Sequence, residues 1–217
     1  MKSEFTEKFN KAYTSLYLLH PSVSEEDFRF RYLRVDWFFP NHLNNVLKQI
    51  KKIGKKYFSN IDYEVSLFAG LFHDSGLVYK REATDTSGHE DRSIEYAKME
   101  LKKLGYNDVF ISKVVECIQA TNVNYNSTMP EANLVRNADA YAHLISMHFF
   151  AKANFSNSIG SFINWFEKKI QGLNKKINIP EIHEEISPLI HYYEQMIKNY
   201  RNNQGEKDFL DIITRDI

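Results

Sequence analysis

The stretch that most constrains this chain is Leu67-Phe68-Ala69-Gly70-Leu71-Phe72-His73-Asp74-Ser75-Gly76. An apolar run stops abruptly at a His-Asp pair, and a turn of small residues follows. A run that is apolar on every face predicts a buried helix. His73 and Asp74 then stand where that helix ends, at the edge of the core. A buried carboxylate without a partner is very costly. A divalent cation satisfies both side chains at once, taking nitrogen from the imidazole and oxygen from the carboxylate.

The rest of the composition suits a helical protein with room for a full core. The chain has 217 residues, of which only 8 are Gly and 5 Pro, too few for a turn-rich all-β fold. Lys plus Arg and Asp plus Glu are 28 each, so net charge gives no general attraction to nucleic acid or to an anionic membrane. No apolar run approaches the roughly 20 residues needed to span a bilayer. Met1 to Phe9 is charged and lacks the apolar centre of a secretory signal. The single cysteine, Cys117, cannot form an internal disulfide and sits among Val114, Val115 and Ile118. A packed thiol in a reducing, cytoplasmic setting is expected.

Periodicity predicts an all-α, single-domain bundle of roughly eight to ten helices. Residues 1–39 form an N-terminal helical extension packed on the core. Residues 40–150 form the core that carries the site, and 151–217 supply C-terminal helices completing the same domain. Helices are expected over about Glu4 to Leu19, Glu25 to Phe38, and from Pro40 through Leu43, Val46, Leu47, Ile50 and Ile53 to Gly54. The central helix is capped by Asn60 or Asp62 and runs to His73. Further helices open at His89, run from Val109 to Thr121, carry Leu134 to Ile145, and cover Ile159 to Gly172 and Pro180 to Tyr200. Ser75 to Gly88 is the one long aperiodic stretch, and loops of that kind beside a site tend to carry specificity. The interleaved arginines and aromatics of Glu25 to Phe38 read as an amphipathic helix. The run Lys51, Lys52, Lys55, Lys56 reads as a solvated helix end.

Several polar residues fall where a core is expected. His42 lies four residues before Val46 and eight before Ile50, so it faces inward with them; a core histidine bonded to a carbonyl is the competing reading. Asp139 shares the apolar face of Val135 and Ala142 and needs a cation, which an ion or Arg136 could supply. Glu90 and Asp91 open a helix, where acids are ordinary. His143 and His148 read as unremarkable helix residues.

His42, the His73-Asp74 doublet and Asp139, in that order, resemble the signature of the HD superfamily of metal-dependent phosphohydrolases. The contexts agree: Asn41-His42-Leu43-Asn44-Asn45-Val46, Leu71-Phe72-His73-Asp74-Ser75-Gly76, and Asn137-Ala138-Asp139-Ala140. His89-Glu90-Asp91-Arg92-Ser93, followed by Ala97 and Leu101, is similar to the helix after the doublet in a small branch of HD hydrolases. The resemblance spans about His42 to Leu144. It implies one divalent transition metal (Mn, Fe, Co, Ni or Zn) held by His42, His73, Asp74 and Asp139. The expected reaction is attack of metal-bound water on a phosphate ester or anhydride, with a nucleotide as the expected small phosphorylated substrate. His89, Glu90 and Asp91 are candidates for positioning the water or moving a proton. Arg92, Lys80 and Arg81 are candidates for phosphate contacts.

The chain also departs from the pattern. Ser75 stands where a Glu commonly follows the doublet. Members with two metals carry further histidines after the doublet helix; His89 fits one, while the next aligned position falls near Thr121, a poor ligand. One ion per chain is therefore expected, with His89 on the open side. The alternatives are a non-catalytic module of the same fold that binds a nucleotide or a protein, and an HD-type di-iron oxygenase.

Overall fold

The computed structural model describes residues 3–19, 41–79, 88–154 and 156–204. Among them the chain is all α, with no strand, and forms a single-domain bundle. The helices are α1 (Glu4–Leu18), α2 (Leu43–Tyr57), α3 (Tyr63–Phe72), α4 (His89–Lys103), α5 (Asp108–Gln119), α6 (Pro130–Leu144), α7 (His148–Asn154), α8 (Ile159–Lys176) and α9 (Pro180–Gln204), with a 3-10 turn at Ser75–Leu77. The expected helix over Glu25 to Phe38, Lys80, Arg81, and the tail after Gln204 lie outside the described residues. Among the described residues, no helix is long and apolar enough to cross a membrane.

The apolar run behaves as its composition requires. Every residue of α3 from Val65 to Phe72 is buried. Its start is fixed by Asp62, whose carboxylate accepts from the backbone N–H of Glu64 and Val65 at 3.1 and 3.2 Å, closing donors that a helix start leaves open. The Asp62 N–H donates to Glu131 in the first turn of α6, tying together the starts of the two central helices. α6 is almost as enclosed, with Leu134 through Leu144 all buried. α2 packs on both, presenting Val46, Ile50 and Ile53 as one stripe.

The other helices close around this pair. α1 lays Phe5 and Phe9 on Phe68, with ring centroids 5.9 and 5.4 Å apart. α5 packs on α3, α4 and α6, and α8 packs on α6 with α9 against both. Short α7, which periodicity does not reveal, packs on α8. α8 runs one turn past the expected Gly172, and its start carries a capping box between Ser158 and Ser161.

One close approach places α4. A Cβ on Gly76 would come within 1.9 Å of the His89 carbonyl oxygen and 2.8 Å of the Ser93 nitrogen. Only glycine lets the turn after the doublet meet the first turn of α4 at that distance. The Gly76 N–H donates to Ser93 Oγ at 2.8 Å, and Arg92 Nε donates to the Gly76 carbonyl at 3.0 Å. The dock brings His89 back to the doublet across the aperiodic connector.

Candidate metal centre

Three helices each deliver part of a buried cluster. His42 sits in a π-type turn at the entrance to α2 and is fully buried. His73 is the C-cap of α3 and still helical, whereas Asp74 leaves the helix with φ −112° and ψ 12°. The chain turns between the two, so adjacent side chains converge. Asp139 comes from the enclosed face of α6 and is 2% exposed. Four atoms meet: Nε2 of His42, Nε2 of His73, Oδ2 of Asp74 and Oδ1 of Asp139. Five of their six separations are 3.2, 3.3, 3.4, 3.5 and 3.6 Å.

These spacings can be tested against a cation. Ligand atoms about 2.1 Å from one ion stand about 3.4 Å apart at tetrahedral positions and about 3.0 Å apart at adjacent octahedral ones. The cluster falls on that scale. The His73 Nδ1–H donates to the Gly70 carbonyl at 2.9 Å, leaving the Nε2 lone pair directed at the cluster. Donation of the other ring N–H to a carbonyl is the usual support of a metal-bound imidazole. Asp139 Oδ1 is buried and accepts no well-angled hydrogen bond, although three imidazole nitrogens lie within 3.5 Å. An oxygen so placed needs a positive charge. The donor set of two imidazoles and two carboxylates therefore fits one divalent transition ion.

Without such an ion, protons and lysines hold the charges together. Burial opposes protonation of His73, but Asp74 and Asp139 outweigh it and raise its pKa to about 10. Burial lowers the pKa of His42 against the opposing pull of Asp139. His42 Nε2 and His73 Nε2 stand 3.2 Å apart, within hydrogen-bond reach of each other. Burial would raise the two carboxylates, yet His73 and His89 hold Asp74 well below its ordinary value, and Lys176 does the same for Asp139.

The neighbours of the cluster divide the expected site residues. His89 Nε2 is 3.5 Å from Asp74 Oδ1, and its side chain is 29% exposed, so it stands on the open rim. Arg92 is anchored on the Gly76 carbonyl beside it. Glu90 is held by Asn122 Nδ2, 3.2 Å from both of its oxygens. Asp91 is exposed in the first turn of α4. The Thr121 hydroxyl donates to the Ile118 carbonyl at 2.8 Å and turns away from any ligand role. Arg136 is not the partner of Asp139: it donates to the carbonyls of Tyr125, Val123 and Lys176.

The partner of Asp139 is Lys176, at the end of α8, whose ammonium donates to Oδ2 at 2.9 Å. The end of α8 is itself fixed by α6. Arg136 holds the Lys176 carbonyl, and Asn137 Oδ1 accepts from the Asn178 N–H at 3.1 Å. His143 belongs to the cluster too, with Nε2 3.4 Å from Asp139 Oδ1 and its ring 4.3 Å from that of His42. Burial, with Lys169 and His42 adding to it, keeps His143 neutral, and burial likewise pushes His148 down to about 2. Lys169, also on α8, donates to His143 Nε2 at 3.4 Å. Burial lowers its pKa to about 8, with Lys176 adding repulsion and both cluster carboxylates opposing it. Sequence periodicity gives no sign of His143, His148, Lys169 or Lys176 as site residues. The one usable signal for His143 is its position, one helical turn after Asp139.

Comparison of the chain with family models, with curated proteins and with solved structures returned no match. The assignment of the site therefore rests on its own atoms.

Proposed function

We propose that this protein is a metal-dependent phosphohydrolase acting on a phosphate ester or anhydride, with a nucleotide as the substrate class. The approach of Asp74 and of Asp139 to both His42 and His73, at 3.3 to 3.6 Å, carries this reading. The order of these residues, which resembles that of the HD superfamily, supports it. An ion held there, Mn, Fe, Co, Ni or Zn, would lower the pKa of bound water and offset charge on a phosphoryl oxygen.

The chain supplies the rest. The Gly70 carbonyl fixes the His73 ring, and Lys176 holds the outer oxygen of Asp139 so that the inner one faces the imidazoles. Hydrolysis joins a water oxygen to phosphorus, breaks the bond from phosphorus to the leaving oxygen, and moves one proton from the water to that oxygen. His89, on the rim beside Asp74, is placed to carry this proton. Glu90 and Asp91 rank behind it, the first engaged by Asn122 and the second exposed in a helix start. Arg92 stands at the same rim for a phosphate contact; Lys80 and Arg81 keep that role as sequence candidates. One ion is favoured, because the flank beside His143 already holds an ammonium from Lys169.

Elemental analysis of the purified protein, with a phosphate-release screen over nucleotides in added Mn, Co or Ni, tests the proposal. The expected result is one ion per chain and phosphate release that depends on it. A chain that retains no ion and releases no phosphate under any of these metals would refute it.

A further inference from the structure

Lys169 and Lys176 are seven residues apart on α8, about two helical turns, and so share a face. Lys176 is engaged by Asp139. Lys169 differs: among the described residues no carboxylate pairs with its ammonium within hydrogen-bond reach, and its hydrogen-bond contact is His143 Nε2 at 3.4 Å. A partly covered ammonium beside a polar cluster calls for an anion.

The charges around it say which anion. Within the buried cluster Asp74 and Asp139 carry two negative charges and Lys169 and Lys176 two positive ones, while Glu90, Asp91 and Arg92 stand outside it in the first turn of α4. Imidazoles that bind a metal are neutral, so one divalent ion leaves a surplus of about two positive charges. A phosphomonoester is close to a dianion at neutral pH, its second pKa being about 6. A diester keeps a single negative charge.

Resting on the phosphohydrolase reading above, we infer that Lys169 binds a terminal phosphoryl oxygen of the substrate, and that the site prefers phosphomonoesters to phosphodiesters.

The test compares the manganese-loaded protein with its Lys169→Met and Lys169→Arg variants. Three quantities are measured: bound metal, affinity for inorganic phosphate by equilibrium dialysis, and hydrolysis of p-nitrophenyl phosphate against bis(p-nitrophenyl) phosphate. The wild-type protein should favour the monoester. Lys169→Met should keep its metal and bind phosphate about tenfold to a hundredfold more weakly, the loss expected for a charged hydrogen bond. Its KM for the monoester should rise more than its kcat falls, and most of the monoester preference should disappear. Lys169→Arg should restore much of both. Unchanged phosphate affinity in Lys169→Met overturns the inference, as does a wild-type protein that takes the diester equally well. Loss of metal in Lys169→Met also overturns it, by making Lys169 a support of the ligands instead of a substrate contact. A wild-type chain without metal removes the phosphohydrolase reading itself, and the metal measurement separates that failure from the others.

Discussion

His42, His73 and Asp139 stand on helix faces that are otherwise apolar, whereas Lys169 and Lys176 stand at the border of an ordinary amphipathic helix. The first group forms the floor of the site and the second its flank. On the floor, each polar side chain is costly unless something compensates it, so its presence demands an explanation. On the flank, a lysine can lay its carbon stem over apolar neighbours, so the cost of burial falls on the ammonium alone, which for Lys169 lowers the pKa to about 8. The same residue type is therefore silent about function on α8 and would be conspicuous on α3. An apolar face announces a polar side chain set into it, whereas the border of an amphipathic helix conceals one in its ordinary pattern.

The largest expected effect breaks the floor. Asp74→Ala should reduce hydrolysis to background and weaken metal binding by more than about a hundredfold, more than the loss of an outer partner produces. The helical circular dichroism should survive, because α3 is held by Val65, Phe68 and Leu71. Full activity in this variant would remove the metal assignment. His89→Ala marks where the floor ends: kcat should fall by about a hundredfold, the low end for a lost proton carrier, with the metal retained. If one of two bound ions disappears instead, His89 is a ligand and the site holds two ions.

Lys176→Met tests how far the flank supports the floor. Metal affinity should drop about tenfold to a hundredfold by competition with a chelating dye, and Lys176→Arg should recover part of it. An unchanged affinity would separate the two regions. Gly76→Ala leaves both regions intact in composition but forces the doublet turn away from α4. It should cost about 1–3 kcal/mol by denaturant unfolding, the usual range for overpacking.

The smallest effect is a pH dependence. In the metal-free chain His73 titrates at about 10, against 6.5 when unperturbed. A raised pKa contributes stability that is fully present below 6.5 and is lost as pH rises through 10. The Tm of the metal-free protein should therefore fall between pH 7 and pH 10. The loaded protein should not show this decline, since a ligating imidazole is already neutral. The depressed pKa values of Asp74 and Asp139 act with the opposite sign, and their contribution is lost only at acid pH.

Sequence and structure agree best where burial is deepest. The apolar run of α3 and the inward stripe of α2 place His73 and His42 before any coordinates are known, and Asp139 is legible from Val135 and Ala142. The identity of the Asp139 partner is not. Arg136 is nearer in sequence, yet it is drawn off by the carbonyls of Val123, Tyr125 and Lys176, an arrangement fixed by loops that have no periodicity. Lys176 lies 37 residues away from Asp139, on a helix whose docking on α6 depends on Asn137 and Asn178. His143 and His148 look ordinary for a related reason. His143 lies one turn after Asp139 on the same enclosed helix, where it reads as one more core histidine, and His148 lies on α7, which is placed by packing on α8.

The contact of Gly76 with His89 and Ser93 has a consequence for how such a protein can change. The chain is fixed through Tyr79, where Leu77 and Val78 are buried and Tyr79 packs on Tyr96, and again at His89, so contacts on both sides of the connector between them set where His89 stands. Doubling the length of that connector would cost only about 0.6 kcal/mol in closure entropy. A change of length there would leave the contacts that place His89 in being.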